Sequence, residues 1–142
     1  MSADCPLCSA AGQDILWQDD FCRVVLVGDP DYPGFCRVIL NAHVKEMTDL
    51  APTDRQRTMI AVLKVEDALR EVLNPDKINL ASLGNLVPHL HWHVIPRFAG
   101  DRHFPDAVWA APRNPAATTE TVADLRPRLI QALTARLGPS PE

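Results

Sequence analysis

Residues 88–98 read PHLHWHVIPRF and carry three of the chain's five histidines at alternate positions, His89, His91 and His93. An extended strand repeats every two residues. The spacing therefore predicts three imidazoles on one face and Leu90, Trp92 and Val94 on the other. Alternate side chains along a strand stand roughly 6.6–7 Å apart, so two neighbouring rings can reach atoms of one small ligand. Near pH 7 an imidazole is a neutral nucleophile, a general base and, once protonated, an acid that binds phosphate. A single histidine on a strand is ordinarily a half-buried polar residue, but three in strict alternation with large apolar residues ask for a cleft. The same spacing also suits zinc ligation, and spacing alone leaves that reading open.

The segment just upstream, NLASLGNLVPH, sets Asn79, Gly84 and Asn85 before the histidines. Glycine lets a backbone approach closely and present its N–H, and asparagine amides donate hydrogen bonds. Together they suit a phosphate oxygen, although Gly-Asn is also an ordinary turn. At the other end of the chain, CPLC spaces Cys5 and Cys8 so that two thiolates can grip one tetrahedral ion. The alternative is a pair of inert, buried thiols. No helical pattern follows the pair, which disfavours a thioredoxin-like redox role.

The elements that must hold these residues are legible in outline. With 142 residues and 46% apolar content, the chain predicts one globular domain rather than two. The net charge of −4 has no basic stripe, which argues against a nucleic-acid surface. No apolar run is long enough for a membrane span and the N-terminus has no signal pattern, so the expected compartment is the cytoplasm, with thiols reduced rather than paired. DILWQDDFCRVVLV reads as two strands around the Asp19-Asp20 turn, and DPDYPG as a further turn before the strand FCRVIL. APTDRQRTMIAVLKVEDALREVLNP is the clearest helix, with a Thr53/Gln56 capping-box pattern and Asn74-Pro75 as its stop. Met59, Val62, Leu63, Leu69, Val72 and Leu73 are expected on its buried face. KINLASL is a fourth strand and HLHWHVIPRF a fifth. Leu125, Leu129, Leu133 and Leu137 predict a last amphipathic helix at about 120–137, with Pro127 in its first turn or at a kink. The class is α+β with an antiparallel sheet.

HLHWHVI resembles the histidine-triad (HIT) signature, in which three histidines alternate with apolar residues. ILNAHVKEMTDL, LGNLVPHLHWHVIPR and HFPDAVW are similar, in order, to segments of a bacterial, diadenosine-polyphosphate-hydrolase-like branch of that superfamily, and the likeness runs over residues 5–109. The resemblance implies a HIT domain at 1–110, followed by a proline-rich segment and helix at 111–142. It also implies a five-stranded antiparallel sheet and a homodimer. The implied activity is hydrolysis or transfer of nucleotides at the α-phosphate, with no metal needed for catalysis. His91 would be the nucleophile, His93 would contact the phosphate and aid the leaving group, and His89 would support them. Asn79, Gly84 and Asn85 would hold the phosphate. Asp29, or alternatively Asp31, would bind the ribose. Some branches complete a structural zinc site with a histidine at the end of the third strand and the first triad histidine, which here implies His43 and His89 beside Cys5 and Cys8. Two positions depart from family patterns: Leu86 stands where some branches carry serine, and Phe35 where some carry histidine. Two other functions compete with the enzyme reading, a nucleotide-binding adaptor or sensor with little turnover and a metalloenzyme that uses the triad as ligands.

Overall fold

The computed structural model describes residues 4–115 and 122–141. Five strands, β1 (Asp14–Gln18), β2 (Cys22–Leu26), β3 (Cys36–Leu40), β4 (Lys77–Ala81) and β5 (His91–Arg97), form one antiparallel sheet in the order β1-β2-β3-β5-β4. Two helices, α1 (Pro52–Leu73) and α2 (Leu125–Leu137), complete the α+β architecture. The chain leaves β3 through α1, lays β4 at the edge and returns with β5 between β3 and β4. The histidine strand is thereby central and flanked on both sides.

Strand alternation divides the sheet into two faces. Cys22, Val24, Cys36, Val38, Leu40, Ile78 and Val94 pack against α1, which buries Ala61, Val62, Val65, Ala68 and Leu69 at helical spacing. Leu129, Ala132 and Leu133 of α2 join the same core, and Trp17 Nε1 donates to the Gly138 carbonyl at 2.9 Å. The opposite face is covered by the N-terminal arm and by loops. Leu7 packs there on Val25 and Ile39, and Tyr32 and Phe35 pack on Ile95.

Four local expectations need correction. Helix α1 is not capped by Thr53: Ala51 is the N-cap, with no side-chain bond, and Pro52 occupies the first turn, where its fixed φ and missing N–H cost nothing. Leu63 is 49% exposed, because the buried face follows Val62 and Val65 and leaves Leu63 on the flank. Most consequential, β5 begins at His91, so His89 sits in a bend before the strand. Helix α2 begins at Leu125, later than expected, because residues 122–124 are not helical and end in a turn at the Asp124 N-cap; residues 120–121 of the predicted span lie outside the described residues, and Pro127 falls in the first turn, as expected. Asn74 ends α1 in the left-handed region. Gly34, at φ 89°, closes the β2–β3 turn where any Cβ would collide with Leu73.

Candidate active site and metal centre

His91 and His93 project from β5 into a cleft of about 440 Å³ on the loop-covered face. Gly84, Asn85, Leu86 and Val87 form one wall, Pro6 and Leu7 of the N-terminal arm another, and Arg37 and Trp109 complete it. Gly84 adopts φ 69°, which glycine takes without strain, and so turns the wall toward the histidines. Leu86 is 93% exposed at the rim and offers no hydroxyl.

The hydrogen bonds set the histidine tautomers. His91 Nδ1 is 2.6 Å from the His89 carbonyl oxygen. A carbonyl only accepts, so Nδ1 carries the hydrogen, and in the neutral ring Nε2 is the nitrogen with the lone pair. His93 stands edge-on to His91 and to Trp109, each with ring centroids 5.0 Å apart, and edge-on to Phe35 at 5.8 Å. Phe35 thus supports by packing a ring that a histidine would support by hydrogen bonding. Burial above all, then the electrostatic influence of the neighbouring His91 and Arg37, pushes the His93 pKa down to about 4. At neutral pH His93 is therefore an uncharged donor, and its Nδ1 is buried with no hydrogen-bond partner among the described residues.

His89 leaves the strand for a different set of neighbours. Its Nε2 donates to the Leu40 carbonyl at 2.6 Å, so its Nδ1 is the lone-pair nitrogen. That nitrogen is 3.3 Å from Cys5 Sγ, 3.6 Å from Cys8 Sγ and 3.2 Å from His43 Nδ1, while Cys8 Sγ is 3.2 Å from His43 Nδ1. All four donor atoms lie within 4.8 Å of one another. Tetrahedral zinc, with bonds of ~2.0–2.1 Å to nitrogen and ~2.3 Å to sulfur, needs donor separations of about 3.4 Å between nitrogens and about 3.5 Å between nitrogen and sulfur. The donor set fits a metal ion in number, type and spacing. His43 reaches it from the loop after β3, three residues beyond the strand's end. Arg23, 4% exposed, anchors the arm that brings the cysteines by donating to the Leu7 carbonyl and to Gln13 Oε1.

Asn79, Asp29 and Asp31 are not among the residues lining the cleft. Asn79 accepts Arg97 Nη1 at 2.7 Å. Asp29 Oδ1 accepts the Asp31 N–H, and Asp31 accepts Arg102 Nη1, both at 2.9 Å. Sequence reasoning missed a buried network beside the cleft. Arg97, 2% exposed, makes a bidentate pair with Asp101, and the Tyr32 hydroxyl bridges Asp101 and His103. This network fixes the loop that carries Trp109. Extending the period-two pattern from His93 through Ile95 to Arg97 could have found it, since a buried arginine needs an acid and Asp101 follows.

A histidine with its Nδ1 held by a backbone carbonyl thus stands over a concave face of an antiparallel α+β sheet, beside a Cys2His2 donor set. The HIT domain model matches residues 10–100, and the chain belongs to the HIT family. Over 86 residues it is 30% identical to an asymmetrical bis(5'-nucleosyl)-tetraphosphatase of Schizosaccharomyces pombe, covering 57% of this chain and 47% of that protein. The chain spans about half the length of the curated relatives it matches. A histidine triad protein from Marinobacter aquaeolei superposes with a TM-score of 0.73 at 29% identity, covering 89% of this chain and 93% of that one. A Zn-bound histidine triad family protein from Mycobacterium smegmatis shares the fold, with a TM-score of 0.68 at 22% identity over 93% of this chain and 94% of that one.

Proposed function

We propose that this protein hydrolyses or transfers nucleotides at the α-phosphate through a covalent nucleotidyl-histidine, acting on a dinucleoside polyphosphate or another nucleoside monophosphate conjugate. One observation carries the reading. The His89 carbonyl holds His91 Nδ1–H, which leaves an Nε2 lone pair in a cleft flanked by Gly84, Asn85 and His93. A neutral nucleophile avoids repulsion by the phosphate anion, and the N–P bond it forms is weak enough to be broken again.

In the first step the Nε2 pair bonds to phosphorus, and the P–O bond to the leaving group breaks with its electron pair on that oxygen. Water then bonds to phosphorus, the N–P pair returns to Nε2, and the water's proton passes to solvent. His93, uncharged, donates an N–H to the phosphate or to the departing oxygen rather than delivering a full proton. Asn79 lies outside the cleft lining, but arginine only donates, so its oxygen faces Arg97 and its two amide hydrogens are the donors it could offer a bound phosphate. Asp29 is the candidate for the ribose hydroxyls. Only its Oδ1 is engaged among the described residues, whereas Asp31 is tied to Arg102.

Zinc is the metal we assign to Cys5, Cys8, His43 and His89, as a structural ion. Four protein ligands close the tetrahedron and leave no open position for substrate. When bound, it would tie the arm to His89, whose carbonyl orients His91. The zinc bound by the Mycobacterium smegmatis protein of the same fold supports the choice. The test of function is mass spectrometry of a quenched reaction with adenylated and guanylated substrates. A +NMP adduct on the His91 peptide is expected. Binding without adduct or turnover would favour a nucleotide sensor instead.

A further inference from the structure

Among the described residues, Arg37 is the only permanently charged side chain lining the cleft. It stands on β3 directly opposite His93 on β5, with Val25 as its neighbour on β2. Directly opposed side chains on paired strands have Cβ atoms about 4.5–5.5 Å apart, so the guanidinium belongs to the His93 side of the cleft floor. No acid pairs with it among the described residues, and its Nε is buried without a hydrogen-bond partner.

The other two strand arginines on this face are fully engaged. Arg23 is held by Leu7 and Gln13, and Arg97 by Asp101, Asn79 and the Asp106 carbonyl. A half-buried guanidinium with unspent donors is costly unless an anion arrives to use them. Among the described residues the cleft has no other permanent cation to serve a second phosphate, and the Leu86 side chain supplies no donor at the rim.

We propose that Arg37 is a specificity-determining residue that binds an anionic group on the leaving side of the scissile bond, selecting polyphosphate-type leaving groups over uncharged amines. The inference rests on the proposed chemistry at His91, and it adds what the cleft demands of the leaving group. In an in-line displacement the leaving oxygen departs opposite the attacking nitrogen and carries away an electron pair. A terminal phosphate there gains negative charge, and a guanidinium beside His93 can take that charge through two parallel N–H bonds. An amine leaving group brings no anion to Arg37 and needs a proton that a His93 with a pKa of about 4 does not hold at pH 7.

The test compares wild-type, Arg37→Gln and Arg37→Lys proteins on a dinucleoside polyphosphate and on a nucleoside phosphoramidate with the same base. Arg37→Gln should lower kcat/KM for the polyphosphate on the order of 10²-fold, as loss of one preorganised donor does, and change the phosphoramidate less than about threefold. Arg37→Lys should recover part of the loss, because it restores charge without the fork. Equal losses on both substrates would assign Arg37 to the transferred phosphate and overturn the proposal, as would no loss on either. Binding of inorganic tripolyphosphate by calorimetry decides the matter without turnover. Wild type should bind at least about tenfold more tightly than Arg37→Gln, and equal affinities refute the role even if no substrate is ever turned over. Thermal melts of both variants identify any loss due to misfolding, and the Lys variant keeps the comparison if the Gln variant fails to fold.

Discussion

His91 is held by a backbone atom, not by another side chain, so its orientation depends on where His89 sits. On the proposed mechanism, His91→Ala should fold, bind nucleotide and lose about 10⁴-fold or more in turnover, because it removes the proposed nucleophile and leaves the Gly84–Asn85 wall in place. His93→Ala should lose less, about 10²–10⁴-fold, and least with good leaving groups. Steady-state kinetics beside nucleotide titrations check both, and more than a few per cent residual activity in His91→Ala would end the covalent reading. Asp101 supports a prediction about stability. Burial alone would raise its pKa, but the Arg97 guanidinium and the N–H groups of Phe98, His103 and Phe104 outweigh that and hold it at about 2. The folded value lies below the unfolded one of about 3.9, so the pair contributes roughly 2 kcal/mol above pH 4, lost as pH falls toward 2. Asp101→Asn should cost about 3–5 kcal/mol at pH 7 by stranding a buried guanidinium, and should abolish that acid-dependent slope. Denaturant unfolding at pH 7 and pH 3 measures both, and unchanged stability at pH 7 would show the pair to be dispensable.

At the scale of elements, the N-terminal arm is the least self-sufficient part of the fold. Among the described residues it has no helix or strand of its own before β1, and it is pinned by Leu7 in a small apolar cluster, by Arg23, and by its two cysteines at the histidines. Protein purified without added metal should carry about one zinc per chain by elemental analysis. Cys5→Ser or Cys8→Ser should remove it and lower Tm by about 10 °C or more, since structural zinc can supply ~10 kcal/mol. The same variants should lower kcat more than they raise KM, because the arm frees the His89 carbonyl that aims His91. A metal-free protein with an unchanged melt would leave the cysteines as inert neighbours. The capping of α1 teaches a related lesson. Thr53 and Gln56 have the residue types of a capping box, but Pro52 claims the first turn and moves the N-cap back to Ala51.

For the whole molecule, β4 is a sheet edge and α1 exposes Ile60 and Leu63 at 53% and 49%. A two-fold dimer that covers this helix and edge is the expected assembly, and most homo-oligomers are two-fold. Light scattering at micromolar concentration should give twice the chain mass, and Leu63→Glu should shift it to the monomer. A monomer for the wild-type protein would refute the dimer.

Much of this architecture is written locally. The alternation of His91, Trp92, His93 and Val94 determines which rings share a face, because the strand period is fixed by backbone geometry. The spacing of Val62, Val65 and Leu69 determines a helix with one buried stripe, and Cys5-x-x-Cys8 determines that two thiols can share an ion. None of these patterns says what lies across the sheet. That Arg37 stands beside His93, that Arg97 takes the oxygen of Asn79, that Trp109 closes the cleft from a distant loop, and that Asp29 falls outside the lining were all decided by tertiary structure. So was the departure of His89 from the strand: its Nε2 is claimed by Leu40, and its Nδ1 turns to donors from two other parts of the chain. The physical reason is the same in each case. Periodicity is enforced by neighbours within a few residues, whereas register and loop closure are set by burial and hydrogen bonds between segments tens of residues apart, and a local pattern carries no record of its partner.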